Sequence, residues 1–246
     1  MGGENLRSFR LVLVEPEGKI NFGFILRLAR NFNISDICVV RPRFDLTDSE
    51  VLEFAAGGAE AVKYCRVCEN VDECLEDVRV SICTTSKVGS EKDVLRQGVP
   101  INALRYVLPS EGVIAIVFGR ESVGLTREEL SKCDIISTIP LKSEYNVMNL
   151  SHAVALYLYE LSRTESPENQ KLTVGAECNK NTFKAILGLV REISTASDEP
   201  EEVFIALRHV LARASLTKPE CSILYRFLKK LAYELGLKAC TCPNAQ

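Results

Sequence analysis

The chain has 246 residues, 46% of them hydrophobic, with 33 acidic side chains against 30 basic ones and a formal net charge of −3. That length and apolar content exclude a disordered tail protein and leave room for one good-sized domain and a smaller one, while the acidic balance argues against a protein that coats nucleic acid without specificity. No apolar run approaches the roughly 20 residues that span a bilayer, and the opening MGGENLRSFR lacks an apolar signal segment, so a cytoplasmic protein without membrane contact is expected.

Residues 9–14, FRLVLV, read as a first strand, and Glu15-Pro-Glu-Gly18 as a turn into a helix over 20–31. On a helical period Phe24, Leu28 and Phe32 share one face, which leaves Arg27 and Arg30 outside the core. A second strand over 36–40 precedes Arg41-Pro-Arg43, a cation pair equally readable as surface charge or as phosphate contacts. Thr47 and Glu50 have capping-box spacing for a helix that ends at Gly57-Gly58. Residues 59–78 read as a short helix, a strand at 65–68 and a helix from Asp72, and 79–83 as a further strand. At its end Thr84-Thr85-Ser86-Lys87 offers hydroxyls and a cation, though on residue type alone these could equally be strand-end caps. A polar connection over 90–100 and a short helix over 101–108 follow.

The stretch 112–161 is expected to form a ligand-binding surface. Residues 113–118, VIAIVF, suit a strand buried on both faces, and they run into the loop Gly119-Arg-Glu-Ser-Val-Gly124, whose glycines allow close backbone approach to something bound. Thr126 and Glu129 form a capping box for a short helix, 135–139 reads as a second buried strand ended by Pro140, and 141–148 is polar without a period. Asn149 is the expected N-cap of an amphipathic helix running to about Arg163. Strands alternating with helices predict an α/β domain with a largely parallel sheet, whose neighbouring strand ends form the crevice where such sheets hold ligands.

Residues 165–170 read as a polar, proline-containing linker. Helices are expected over 179–194, 199–214 and 216–235, the last opened by the capping box of Thr217 and Glu220. Leu224, Phe227, Leu228, Leu231 and Leu235 give that helix an apolar stripe with Arg226, Lys229 and Lys230 outside it, either solvated charge on a small bundle or an RNA-docking face. Acidic residues dominate 165–202 and basic ones 203–238, so a local basic face is compatible with the acidic chain. The resulting division is 1–164, a linker over 165–178, and a helical extension over 179–246.

Most of the ten cysteines sit inside apolar patterns, which points to reduced, buried thiols. Cys65-x-x-Cys68 and Cys240-x-Cys242 have metal-ligand spacing, yet neither has a matching second half, and the two histidines, His152 and His209, lie within helical patterns. No metal is expected.

Three motifs carry a family resemblance. Asn21-Phe-Gly23-Phe-Ile-Leu-Arg27, GRESVGLT from Gly119 and IPLKSEYNVMNLSHA from Ile139 resemble, in order, the three motifs of the SpoU/TrmH branch of the SPOUT methyltransferases, which transfer a methyl group from S-adenosylmethionine to RNA. The resemblance covers roughly residues 9–163 and is strongest to the TrmJ group, which 2′-O-methylates nucleotide 32 of the tRNA anticodon loop and carries a helical extension. Asn146 and Val147 stand where bacterial members have serines, and Lys87 where an arginine is usual. The resemblance implies a SPOUT-type parallel sheet with a C-terminal trefoil knot, a homodimer, and a small all-α extension that binds RNA. It implies Arg27 as catalytic residue with Asn21 orienting it or the target ribose. The cofactor would lie against Thr84, Thr85, Ser86, Gly119, Ile139, Asn146, Val147 and Met148, and RNA against Arg30, Lys87 and Arg120; Arg226, Lys229 and Lys230 are further candidate RNA contacts on the pattern of the last helix alone. Glu121 is left between two roles, a partner for Arg120 or a support for the active-site loop.

A ribose 2′-hydroxyl is a weak acid, so its methylation needs in-line placement and stabilisation of the developing oxyanion. A guanidinium stays protonated at neutral pH, which makes a fixed cation beside the oxygen physically easier for Arg27 than the role of base. The resemblance implies cytidine or uridine 32 of a tRNA as the target. The alternatives are another tRNA or rRNA site, or a noncatalytic RNA-binding protein on the same fold. A dinucleotide-binding dehydrogenase would need Gly-x-Gly-x-x-Gly after the first strand, where this chain has Glu15-Pro-Glu-Gly18.

Overall fold

The computed structural model of the chain describes residues 7–89, 92–143, 146–163 and 176–237. The linker expected at 165–170 and the Cys240-x-Cys242 pair lie outside the described residues. The chain divides into two compact units, Met1–Asn169 and Gln170–Gln246.

The first unit is built on a seven-stranded, all-parallel sheet. Its strands are β1 (Arg7–Val14), β2 (Asp36–Val40), β3 (Cys65–Cys68), β4 (Val80–Thr84), β5 (Val99–Pro100), β6 (Gly112–Phe118) and β7 (Ile135–Thr138), in the order β3-β2-β1-β6-β4-β7-β5. Crossovers cover both faces of a parallel sheet, which is why its inner strands are nearly continuous Val, Ile and Leu. Leu11 to Val14 and Ile114 to Phe118 are fully or almost fully buried. Arg10 is the exception inside β1, held by Asp36 at 2.8 Å and Asp77 at 2.6 Å. β5 falls in the stretch expected to be a polar connection; it is two residues at the sheet edge, where Pro100 removes no needed donor.

Around the sheet lie α1 (Lys19–Asn31), α2 (Ser49–Ala55), α3 (Val71–Leu75), α4 (Arg127–Ser131) and α5 (Leu150–Ser162). The expected capping box of Thr47 and Glu50 does not form. Asp45 takes both the amide and the hydroxyl of Thr47, and Asp48 instead caps α2 by accepting from the Glu50 amide. The chain then tightens into a 3-10 helix over Ala56–Tyr64 rather than stopping at the glycine pair. Gly58 sits there flush against α1, where an added Cβ would lie 2.7 Å from the Arg27 Cα. α1 packs on α2, on this 3-10 helix and on α5. Tyr157 of α5 is buried edge-on to Phe118 of β6, and its hydroxyl donates to Ser137 of β7 at 3.0 Å, so the burial leaves no orphaned polar atom there.

The second unit contains α6 (Lys180–Ser194), α7 (Pro200–Arg213) and α8 (Lys218–Glu234), with α6 packed against both others. The Thr217 and Glu220 capping box forms as expected. Phe227, assigned to the apolar stripe of α8, is exposed, and the residues of that helix buried most deeply are Cys221 and Ala232. Among the described residues no helix is long and apolar enough to cross a membrane.

The expectation of reduced thiols is corrected at four positions. The end of β4 and the turn after α4 bring the Cα atoms of Cys83 and Cys133 to 5.6 Å, and these residues form a disulfide. Cys178 and Cys221 form a second one, within the helical unit. Cys38, Cys65, Cys68 and Cys74 are free.

Candidate active site

Strand order decides which loops meet. β6, β4 and β7 are consecutive in the sheet and point the same way, so the segments that follow them, beginning at Thr85, Gly119 and Ile139, leave one edge together. β1 flanks β6 in parallel, so the turn at Glu15–Gly18 and the start of α1 join them.

Glu121 ties these pieces together. Its carboxylate accepts from the backbone amides of Glu17 (2.8 Å) and Gly18 (3.1 Å) and from Asn21 Nδ2 (3.0 Å). The other end of the Asn21 amide accepts from Asn149 Nδ2 at 2.9 Å, and Asn149 Oδ1 in turn caps α5 by accepting from the Ser151 amide. All three sequence motifs are thus hydrogen-bonded through Asn21. Of the two roles left for Glu121 the geometry selects the loop support.

Arg120 points the other way. Its guanidinium bonds Glu15 (2.9 and 3.1 Å) and Glu129 (3.0 Å to each oxygen), and its side chain is only 8% exposed. The reading of Arg120 as an RNA contact gives way to an interior role, because its donors are committed to two carboxylates. The hydrogen bond from Arg120, joined by those from Arg43 and Arg41, holds the Glu15 carboxyl far below the usual carboxylate range. Burial alone would push Glu129 up, but Arg120 and the Thr126 amide outweigh it, and it too is lowered. Glu15 and Arg41 both adopt left-handed backbone (φ 45° and 44°) at the ends of β1 and β2, a conformation costing on the order of 1 to 3 kcal/mol apiece, and their side chains form an ion pair there.

Gly119 is required by the loop itself. An added Cβ would fall 2.2 Å from the carbonyl carbon of Gly124 and 2.3 Å from the Leu125 nitrogen, so no side chain fits where the loop closes on itself. Gly124 meets nothing and has φ +73°, which turns the loop back, helped by its amide donating to the Arg120 carbonyl.

The remaining expected cofactor residues line the same edge. Thr84 Oγ1 donates to the Val117 carbonyl, and Thr85 Oγ1 accepts from the Lys87 amide and from Arg96. Asn146 Nδ2 donates to the Ser86 carbonyl at 3.0 Å, joining the segment after β7 to the segment after β4. Ile139 and Met148 are half-buried, while Asn146 and Val147 are exposed. Arg27 is exposed and makes no hydrogen bond or ion pair among the described residues. Arg30 donates to the Gly57 carbonyl, and Lys87, Arg226, Lys229 and Lys230 are exposed.

The profile of the SpoU rRNA Methylase family matches residues 8–159, from β1 into α5, and so takes in every loop described above. The chain belongs to the SpoU family. It is an RNA methyltransferase, and its methyl donor is S-adenosylmethionine. The tRNA (cytidine-2′-O-)-methyltransferase TrmJ of Sulfolobus acidocaldarius is 37% identical over 94% of this chain and 96% of its own length. The protein of the same name from Methanocaldococcus jannaschii is 29% identical over 96% of both chains. Among solved structures, TrmJ from Z. mobilis ZM4 has the same fold, with a TM-score of 0.64 at 23% identity over 90% of this chain and 98% of that one.

Against the SpoU motifs, the sequence displays Asn21, Arg27 and the three loops but conceals the supporting residues. Glu15 and Glu129 read locally as a turn residue and a helix cap; the parallel pairing of β1 with β6 brings Glu15 onto Arg120, and the turn of the loop into α4 brings Glu129. Asn149 is recognisable as a cap, which is a local signal; its bond to Asn21 is not.

Proposed function

We propose that this SpoU-family enzyme methylates the ribose 2′-oxygen of a tRNA, at cytidine or uridine 32 of the anticodon loop. The carrying observation is Asn21 fixed between Glu121 and Asn149 at the start of the helix that presents Arg27, exposed and without a partner among the described residues. The relatives support the reading: the archaeal ones are named cytidine-2′-O-methyltransferases of tRNA, and that of Pectobacterium atrosepticum a cytidine/uridine-2′-O-methyltransferase.

In this reading Arg27 offers N–H donors to the 2′-oxygen as negative charge develops, and Asn21 is a positioning residue that sets the start of α1. Thr84, Thr85, Ser86, Gly119, Ile139, Asn146, Val147 and Met148 hold the cofactor, which when bound supplies a methyl group activated on a sulfonium. Arg30 and Lys87 meet RNA phosphates beside the site, and Arg226, Lys229 and Lys230 meet them on the helical extension. Arg120 keeps the loop in shape rather than touching RNA.

We extend the proposal to the trefoil knot, to a homodimer and to work in the cytoplasm, where tRNA is modified. For the knot, the support is that the chain after β7 doubles back as α5, seating Tyr157 on both β6 and β7. For the dimer, the support is that Ile20 and Phe24 of α1 and Leu156 and Tyr159 of α5 are exposed on two helices that pack together.

The test is mass-spectrometric mapping of tRNA after incubation with the enzyme and isotopically labelled cofactor. Label on the ribose of nucleotide 32, absent when that nucleotide is 2′-deoxy, is the expected result. Label retained on the deoxy substrate puts the chemistry on a base and overturns the assignment.

A further inference from the structure

Away from the methyltransfer site, three free cysteines meet in the core between the sheet edge and α3. Register explains how. Val12 pairs with Cys38 and Val40 with Cys68, and side chains alternate along a strand, so Cys38, Arg66 and Cys68 all point to the face that carries Arg10. α3 packs on β1, β2 and β3 and adds Cys74 from the helix side. The three Sγ atoms lie within 4.8 Å of one another and all three residues are buried. Cys65 is excluded by the same parity: a spacing of three puts Cys65 and Cys68 on opposite faces, so the C-x-x-C in the sequence is not the ligand pair. The grouping needs Cys38 and Cys74, from outside the motif.

Buried cysteines often serve as small apolar side chains. Here a charge is brought to them. Arg66 aims Nε (3.3 Å) and Nη2 (3.1 Å) at the Cys38 sulfur. An apolar packing position has no use for a guanidinium, whereas a group that carries negative charge does. Three thiolates around an ion at about 2.3 Å stand about 4 Å apart, so the cluster closes with a shift of under about 1 Å in each sulfur–sulfur distance.

We propose that Cys38, Cys68 and Cys74 bind one thiophilic d10 metal ion, zinc(II) or copper(I), as a structural clip joining β2, β3 and α3. Each thiol releases its proton as its sulfur–metal bond forms, so binding liberates protons and strengthens as pH rises. Charge favours the divalent ion: three thiolates and zinc(II) carry a net −1, which Arg66 balances, while Arg10 is already matched by Asp36 and Asp77. Copper(I) leaves one negative charge uncompensated.

The test titrates the full chain, isolated with its two disulfides intact, with zinc(II) alone and with copper(I) alone, and follows stoichiometry by native mass spectrometry. One ion per chain is expected in the wild type, in Cys65→Ser and in the Cys240→Ser/Cys242→Ser double variant. Cys74→Ser should weaken binding by more than the ~10- to 100-fold that follows loss of a group merely supporting a ligand. Because a buried Cys→Ser change can unfold the chain, cobalt(II) added to the wild type provides a reading without any variant: intense sulfur-to-cobalt charge-transfer absorption is expected. Absence of stoichiometric binding by both ions, a cobalt spectrum without that absorption, binding that persists in folded Cys74→Ser, or a disulfide found among the three cysteines overturns the proposal.

Discussion

Asn149 donates through Nδ2 to the side-chain oxygen of Asn21, 2.9 Å away and 128 residues earlier in the chain. Neither amide can flip without losing its other bond. Asn21 must present its Nδ2 to Glu121 and Asn149 its oxygen to the Ser151 amide, so the relay from α5 to the Gly119 loop has one direction. The start of α1 is therefore positioned by both other motif loops at once.

This relay makes Glu121→Gln a severe change for so conservative a substitution. Three donors converge on the carboxylate, and an amide nitrogen in place of one oxygen would face a donor. Loss of hydrogen bonds to a charged acceptor costs about 2 kcal/mol, and a misplacement of the helix by about 1 Å lowers turnover on the order of 100-fold. Thermal unfolding and single-turnover methyl transfer measure the two effects. Full turnover in a destabilised Glu121→Gln protein would mean that the relay is structural only.

Arg120→Met leaves Glu15 and Glu129 without their shared cation and should cost about 3 kcal/mol, the scale for breaking a buried ion pair. The pH dependence has a definite sign. Both carboxyls sit below their ordinary value of 4.5 in the folded chain, so the stability they contribute is complete above that pH and lost as pH falls through the lower folded values. Asp77, drawn down from 3.8 to about 2 by its hydrogen bond from Arg10, adds a second loss below about pH 4. Urea unfolding at several pH values should therefore show wild-type stability falling below about pH 4.5 and a flatter profile in Arg120→Met, with the Asp77 part retained. An unchanged slope in the variant would exclude Arg120 as the cause.

Local signals made much of this legible in the sequence. The buried run at 113–118, the Thr126 and Thr217 capping boxes and the Asn149 cap depend on neighbours within a few positions, and each forms as read. What stayed hidden depends on strand order. Arg120 looks like a free loop cation until β1 lies beside β6 and delivers Glu15 to it, and Cys65-x-x-Cys68 looks like a ligand pair until a strand splits it across two faces. Thr47 failed for a different reason: Asp45, two residues away, competes for its hydroxyl, and a capping-box pattern does not register that competition.

The basic residues of α8 offer a test of the extension that leaves the fold alone. Arg226, Lys229 and Lys230 are exposed, and the ion pair of Lys230 with Glu234 at 3.7 Å lies at the surface, where such pairs contribute little. Replacing all three by Ala should leave cofactor affinity unchanged and reduce the salt dependence of tRNA binding by about one unit of slope for each phosphate deprived of its cation. Titration of tRNA at several salt concentrations measures the slope, and an identical slope in the triple variant would remove these residues from the RNA interface.

Arg27→Ala should lose turnover far more than cofactor affinity. Arg27 stands on α1, whereas the residues assigned to the cofactor follow β4, β6 and β7, so removing its side chain leaves their mutual hydrogen bonds intact. A cation acting on charge that develops only in the transition state affects the rate and not ground-state binding. By analogy with a lost oxyanion donor the expected drop is about 100-fold to 1000-fold in the rate of methyl transfer, read under single-turnover conditions with calorimetry of S-adenosylmethionine binding alongside. Arg27→Lys separates charge from shape. A point charge on a flexible stem restores attraction to the oxygen but not the fixed geometry of the guanidinium fork, so partial recovery is expected. Turnover near the wild-type rate in Arg27→Ala would leave the family assignment standing and take the catalytic role away from Arg27. A rate loss matched by an equal loss of cofactor affinity would instead make it part of the cofactor site.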